Sequence, residues 1–383
     1  MRKIYFATVI SVFICFSLFF STGMNAQGCV AVRPMSCSGV GYANGSALLP
    51  KGHFQLSTTY RYFKSYKHFR GDVEEEERVE DGTEVINTAH SMDIGMTYAI
   101  TDRFNISQNI PLIYFDRSSL YEHYGNATST NPDQKRFHTG AAGVGDIRFT
   151  ASYWLIKPGK DSSGNISIGG GIKLPTGNSY VTDEFHRRTA DGRDSTILKP
   201  VDQSIQLGDG GWGFVIETQG FCKFGERLAG YYNGFYMFNP QNVNKTPNRS
   251  PLATTGDNMI TNYHSIADQY MFRFGMNFQV MKDKGLYVSL GGRAEGIPAK
   301  DRIGKSDGFR RPGYIISVEP GLNFQKGNHT FVLNIPVALY RNRVKNTYDL
   351  ADPDGLRHGD AAFADYLINF TYLYKFGKSH HDM

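Results

Sequence analysis

Period-two alternation of apolar and polar residues recurs along this chain in runs of about ten positions, each followed by a turn or polar loop. No long stretch carries apolar residues at helical spacing. In 269–281, Tyr270, Phe272, Phe274, Met276, Phe278 and Val280 alternate with Gln269, Arg273, Asn277 and Gln279. In 365–376, Tyr366, Ile368, Phe370, Tyr372, Tyr374 and Phe376 alternate with Asp365, Asn369, Thr371 and Lys375. The remaining segments are 54–62, 92–100, 104–114, 146–156, 165–175, 212–224, 228–238, 286–296, 314–324 and 329–340. The pattern predicts twelve strands, with fourteen as the alternative.

The connections narrow the fold further. Long polar stretches at 64–90, 116–140, 177–210, 239–264, 297–309 and 341–362 alternate with short turns. The turns are Thr101-Asp102-Arg103, 157–164, Gly225-Glu226-Arg227, 282–285 and Gln325-Lys326-Gly327. Strict long/short alternation is what a transmembrane β-barrel requires, with short periplasmic turns and long outer loops. A soluble sandwich has no reason to gather every long loop at one end. In lipid each backbone N–H and C=O must be satisfied between strands, so the sheet must close. Aromatics near strand ends (Tyr60, Tyr62, Tyr114, Trp212, Tyr236, Phe238, Phe324, Tyr374 and Phe376) fit interfacial girdles. The expected fold is therefore all-β: a closed antiparallel transmembrane barrel over 53–376.

Composition agrees by exclusion. The one long apolar run is at the start, so a helical membrane bundle is excluded. Aromatics at 14% and a net charge of +5 argue against disorder and against a nucleic-acid partner. Four Cys in 383 residues exclude a disulfide scaffold. Met1-Arg2-Lys3, the apolar run Ile4 to Phe20 and the small residues ending at Ala26 form a signal peptide, 1–26. A membrane anchor, or a lipoprotein signal cut before Cys29, are the other readings. All three place the mature chain outside the cytoplasm, where Cys29 and Cys37 can form a disulfide and Cys222 is left single. Segment 27–52 is a periplasmic tether or a lumen plug, and 377–383 is a periplasmic tail. The expected location is the outer membrane of a Gram-negative bacterium.

Gly143-Val144-Gly145-Asp146-Ile147-Arg148, followed by Gly169-Gly170-Gly171-Ile172-Lys173-Leu174-Pro175-Thr176-Gly177, resembles a paired motif, GxGD…GxKxPTG. Gln206-Leu207-Gly208-Asp209-Gly210-Gly211-Trp212 resembles the LGxG segment that follows it. These motifs mark an outer-membrane transporter family named for the MetA pathway of phenol degradation. That family is similar in design to outer-membrane channels for fatty acids and aromatic hydrocarbons. The resemblance covers about 140–225 by motif and the rest by architecture only. It implies an outer-membrane barrel that passes small, hydrophobic or amphipathic molecules.

Alternation assigns twelve charged residues to the lumen: Arg61, Asp93, Asp146, Arg148, Lys173, Glu217, Lys223, Arg273, Arg293, Glu295, Glu319 and Asp365. They are either a salt-bridge network that stiffens the wall or a polar permeation path. Their balanced signs argue against strong ion selectivity. Pro111, Pro175, Pro320 and Pro336 lie in or beside strands; since proline removes a ladder donor, each should mark a bulge, kink or strand end. Hydrocarbon channels of the resembling kind use a wall kink to release substrate sideways, and Pro111 is the internal candidate here. Gly143, Gly145 and Asp146 are expected to open the fourth strand, and Lys173, Pro175 and Gly177 to close the fifth. An Asp146–Lys173 or Asp146–Arg148 pair would then sit at the outer rim, with glycines leaving room for a loop to fold inward.

The acidic run Glu74 to Glu77, with Asp72, Glu80 and Asp81, stays solvated or is linked by divalent cations to lipopolysaccharide. His380-His381-Asp382 does not make a metal site. His138, His186, His264 and His358 lie in loops or at loop edges without a catalytic spacing, so no enzyme, cofactor or metal is expected. A structural or adhesion barrel is the first alternative function, and a barrel hydrolase the second. Expected partners are outer-membrane lipid and lipopolysaccharide, the barrel-assembly machinery and a small-molecule substrate, with no nucleic acid.

Overall fold

The computed structural model describes residues 48–158, 163–248, 252–281 and 284–377. The signal peptide, most of 27–52 with Cys29 and Cys37, and residues 378–383 lie outside the described residues. Among the described residues, nineteen strands follow in chain order. They are β1 (Phe54–Arg70), β2 (Val73–Glu74), β3 (Ile86–Ala99), β4 (Phe104–Ser119), β5 (Phe137–Val144), β6 (Arg148–Trp154) and β7 (Gly164–Lys173). Next come β8 (Thr182–Arg188), β9 (Asp194–Pro200), β10 (Gly213–Lys223), β11 (Leu228–Phe238), β12 (Val243–Pro247) and β13 (Tyr263–Ser265). The chain ends with β14 (Gln269–Met281), β15 (Leu286–Ile297), β16 (Gly313–Lys326), β17 (His329–Asn334), β18 (Val337–Arg343) and β19 (Ala361–Phe376).

Nearest the short turns, twelve strands pair antiparallel into an unbroken ring: β1, β3, β4, β6, β7, β10, β11, β14, β15, β16, β17 and β19, with β19 returning to β1. β5 continues the line of β6, and β18 that of β17, so the wall has twelve staves, two of them broken. Hairpins β8–β9 and β12–β13 stand off the wall in the long loops. No helix among the described residues is long and apolar enough to cross a membrane.

Burial is inverted relative to a water-soluble protein. On β3, Met92, Ile94 and Met96 are exposed while Ser91, Asp93 and Thr97 are buried. The same holds on β10, where Phe214 and Ile216 point out and Glu217 and Gln219 are buried. An apolar exterior around a polar interior is the surface a barrel presents to lipid.

Several staves are taller than the alternation indicates. β1 reaches Arg70 rather than 62, β3 starts at Ile86 rather than 92, and β19 starts at Ala361 rather than 365. These extensions place residues such as Lys64 and Thr88 at positions that need no apolar exterior, so the period-two signal fades while pairing continues. The fourth stave needs a correction. It opens at Phe137, and Gly143, Gly145 and Asp146 lie at its break, not at its start.

Proline explains both breaks. Across β4, Asn109 pairs with Arg148 and Leu112 with Val144. Two residues of β4, Ile110 and Pro111, therefore face three of the fourth stave, Gly145 to Ile147. Pro111 has no N–H to give, and its carbonyl accepts from Gly145 N at 2.8 Å. At the other break Pro320 lies opposite Ile335 and Pro336 opposite Glu319, with the Pro320 carbonyl accepting from Ile335 N at 3.0 Å.

Candidate functional site

The connection from β7 to β10 enters the mouth of the barrel. After β9, residues Val201 to Asp209 run inside the wall, with a single 3-10 turn at Gln203–Ile205. Val201, Ile205 and Leu207 are buried against an apolar collar of inward side chains. The collar is formed by Phe63 on β1, Ile113 and Phe115 on β4, Ala141 on β5 and Leu367 on β19. These apolar residues occupy inward positions that carry polar side chains nearer the short turns, so the lumen is apolar on one side at this level.

Two polar anchors hold the inward segment. The Asp202 carboxylate accepts from Arg311 Nη1 and Nη2 at 2.9 and 2.7 Å, and Arg117 Nη2 lies 3.6 Å away. The same carboxylate caps the 3-10 turn by accepting from Ser204 N at 2.9 Å. Gln206 bridges the segment's flanks, accepting from Val181 N at 2.8 Å and donating to the Val201 carbonyl at 2.9 Å.

The second anchor gathers all three motif segments. Lys173, at the end of β7, pairs with Asp209, and its Nζ lies 3.7 Å from Asp146. Asp146 accepts from Gly177 N at 2.9 Å and from Asp209 N at 3.2 Å. Thr176 mends the broken stave: its Oγ1 accepts from Ile147 N at 2.8 Å and donates to the Gly145 carbonyl at 3.0 Å. The glycines are steric necessities. A Cβ on Gly208 would lie 2.5 Å from Asp146 Oδ1 and 2.6 Å from the Gly177 carbonyl, and one on Gly143 would lie 2.8 Å from Leu207. Pro175 lies just past β7, where the chain leaves the wall.

Of the twelve nominated charges, ten are buried: Arg61, Asp93, Asp146, Arg148, Lys173, Glu217, Arg273, Arg293, Glu295 and Glu319. Arg273, Arg293, Glu295 and Glu319 form one group across β14, β15 and β16. Arg273 lies 2.6 Å and Arg293 3.7 Å from Glu319, and Arg293 lies 2.8 Å from Glu295. Arg61 donates to Asn369 at 3.1 Å. Lys223 and Asp365 are half-buried instead. Asp365, near the second break, pairs with Arg341 at 2.6 Å and lies 3.7 Å from Lys67. Alternation does not reach Asp202 and Arg311, which lie on loops, or Arg117, which lies on β4 beyond position 114 where the period fades; Asp209 is visible in its motif, but without a role.

The four histidines are scattered, and three lie on strands rather than in open loops: His138 on β5, His186 on β8 and His264 on β13. His138 contacts Asp116 at 2.9 Å and His186 contacts Asp194 at 2.8 Å. His358 Nε2 donates to the Arg343 carbonyl at 2.6 Å, and His264 is buried. None has a serine hydroxyl among its hydrogen-bond partners in the described residues. His68, Glu75 and Asp360 cluster closely enough for a cation. Their atoms are engaged otherwise: His68 Nε2 accepts from Val85 N at 2.8 Å, Glu75 pairs with Arg70 and Arg78, and Asp360 with Arg78.

Burial lowers the pKa of His123 and His264, both in the long loops, to about 4. Around His264, Asp202 pulls upward and Arg311 downward, but burial dominates. A folded-state value below the unfolded 6.5 means that neutral histidine stabilises the fold fully above pH 6.5. That contribution is lost as pH falls from 6.5 towards 4, up to roughly 3 kcal/mol for each group. Asp202 behaves oppositely: burial pushes it up, yet Arg117 and Arg311 hold it well below the usual carboxylate range, so it stays ionised throughout. Corrected for the intrinsic exchange rate, the protection factors of long-loop amides should therefore fall tenfold or more between pH 7.5 and 4.5, and His264→Phe should reduce that change. Equal protection at both pH values would refute it.

No family model and no curated protein matches the chain. Among solved structures, the crystal structure of an outer membrane channel from Pseudomonas putida F1 aligns with 90% of this chain and 100% of its own, at 14% identity and TM-score 0.53. The P. putida toluene transporter TodX aligns with 93% of this chain and 97% of its own, at 11% identity and TM-score 0.41. A Pseudomonas aeruginosa FadL homologue aligns with 91% and 98%, at 9% identity and TM-score 0.38. The first of these likenesses establishes the class of fold: a closed, twelve-stranded antiparallel β-barrel of the outer-membrane type.

Proposed function

We propose that this chain is an outer-membrane channel for small, hydrophobic or amphipathic molecules, similar to the transporter family its motifs resemble. The observation that carries the reading is the segment Val201 to Asp209, seated inside the mouth on an apolar collar and pinned by two sets of ion pairs. A barrel serving only as a scaffold or adhesin has no use for a loop anchored in its bore, whereas a channel uses such a loop to set its aperture. In this reading the short turns face the periplasm and the long loops face outward. Lipid surrounds the apolar belt, lipopolysaccharide meets the outer rim, and the barrel-assembly machinery inserts the chain. The break beside Pro111, where β5 pairs with β4 alone, is the proposed side exit towards the bilayer.

Planar-bilayer recording and liposome swelling test the reading directly. Purified protein should conduct or admit small solutes, and removal of 27–52 should raise the rate if that segment plugs the lumen rather than tethering the barrel. If neither form conducts or admits any solute, the channel reading fails and the structural barrel takes its place.

A further inference from the structure

Beneath the inward segment lies a cavity of about 110 Å³. One side is apolar, with Phe115, Leu207, Ala267 and Ile297. The other is lined by His264, Gln203 and Arg310, whose buried Nδ1, Oε1 and Nε atoms have no hydrogen-bond partner among the described residues. Both His264 and Arg310 are at most 2% exposed. An unpaired buried donor or acceptor costs about 1–3 kcal/mol, so three around one small space call for an occupant that supplies the missing bonds.

The chemistry of the lining narrows the occupant. Lys173 is matched by Asp146 and Asp209, and Arg310 by Asp301, so an ionic ligand would upset a charge balance already struck within the site. A pure hydrocarbon would fill the apolar side and leave the polar atoms unpaired. The size sets an upper limit: an apolar cavity of about 150 Å³ accepts benzene, so the occupant is no larger than a small ring. From this geometry we infer that the cavity is a binding site for a small uncharged molecule with an apolar body and one hydroxyl or carbonyl group. His264 and Gln203 select for that polar group, and Phe115, Leu207 and Ile297 receive the body. This deepens the channel reading by naming the solute class that the constriction recognises.

The test uses the full chain in lipid nanodiscs with histidine ring nitrogens labelled for NMR, the His264 signal being identified by its loss in His264→Phe. Cyclopentanol, cyclopentane and cyclopentanecarboxylate are titrated separately. Cyclopentanol should shift the His264 Nδ1 resonance saturably, and Gln203→Leu should weaken that binding at least fivefold. Cyclopentane and the carboxylate should leave the resonance in place. The site is refuted if cyclopentanol gives no saturable shift, which is also the result if water alone occupies the cavity. It is refuted as well if all three compounds act alike. Conductance is measured on the same protein: conductance without cyclopentanol binding removes the site and spares the channel, and binding without conductance does the reverse.

Discussion

Glu319→Ala is expected to lower the unfolding temperature of the barrel, read from heat-modifiable gel migration, by roughly 10 °C. Glu319 is 1% exposed on the inner wall and faces both Arg273 and Arg293. Removing one carboxylate leaves two guanidinium groups in a closed lumen with Glu295 as the remaining acid of the group. Breaking a buried ion pair from one side costs about 3–5 kcal/mol, because the surviving charge keeps its desolvation penalty. The double variant Glu319→Ala/Arg293→Met should recover part of the loss, since it also withdraws one of the excess positive charges. Unchanged migration of the single variant would show that the lumen is wet enough to screen these charges.

Asp202→Ala is expected to raise single-channel conductance severalfold while the barrel still folds. Asp202 caps the 3-10 turn and is the carboxylate towards which Arg117 and Arg311 converge. Without it the segment keeps its collar contacts and the Lys173 anchor but loses the fixing point at its entry. A penalty of several kcal/mol on the seated arrangement shifts its population by a factor of a hundred or more. Trypsin should then cut within 182–212 faster, and Asp202→Asn, which keeps a cap but not the charge, should fall between. Normal conductance from a correctly folded Asp202→Ala barrel would remove the segment from control of the aperture.

What the sequence made legible, and what it did not, follows from where lipid imposes a pattern. All twelve staves could be read because lipid demands an apolar residue at each second position, as at Phe272, Phe274, Met276 and Phe278. The upper parts of β1 and β3 escaped because that demand lapses there, although the ladder persists. The apolar collar was hidden for a related reason. Ile113 and Phe115 point inward beside outward Leu112 and Tyr114, so four apolar residues in succession erase the period. The motif node could be partly read, because chain direction alone brings the end of β7 beside the fourth stave. Asp209 as the nearer partner of Lys173 could not be read, since it arrives on a loop whose path is set by packing on the collar rather than by pairing.

The two broken staves divide the barrel into mechanically different halves. Near the short turns the backbone hydrogen bonds form a complete hoop, which cannot widen without rupturing a ladder. Above Pro111 and Pro320 the hoop is open. β5 is bonded along one edge, and β18 meets β19 at a single residue pair, Val337 with Tyr366. There the seams are closed by a few contacts: Asp183 to Gly140 N at 2.7 Å, Arg341 to Asp365 at 2.6 Å, and one backbone bridge between Gly71 and Arg343. Stiffness therefore belongs to the lower girth, and compliance to two slits in the rim. A solute pressing on the mouth meets panels that flex against a few clasps, above a hoop that does not stretch.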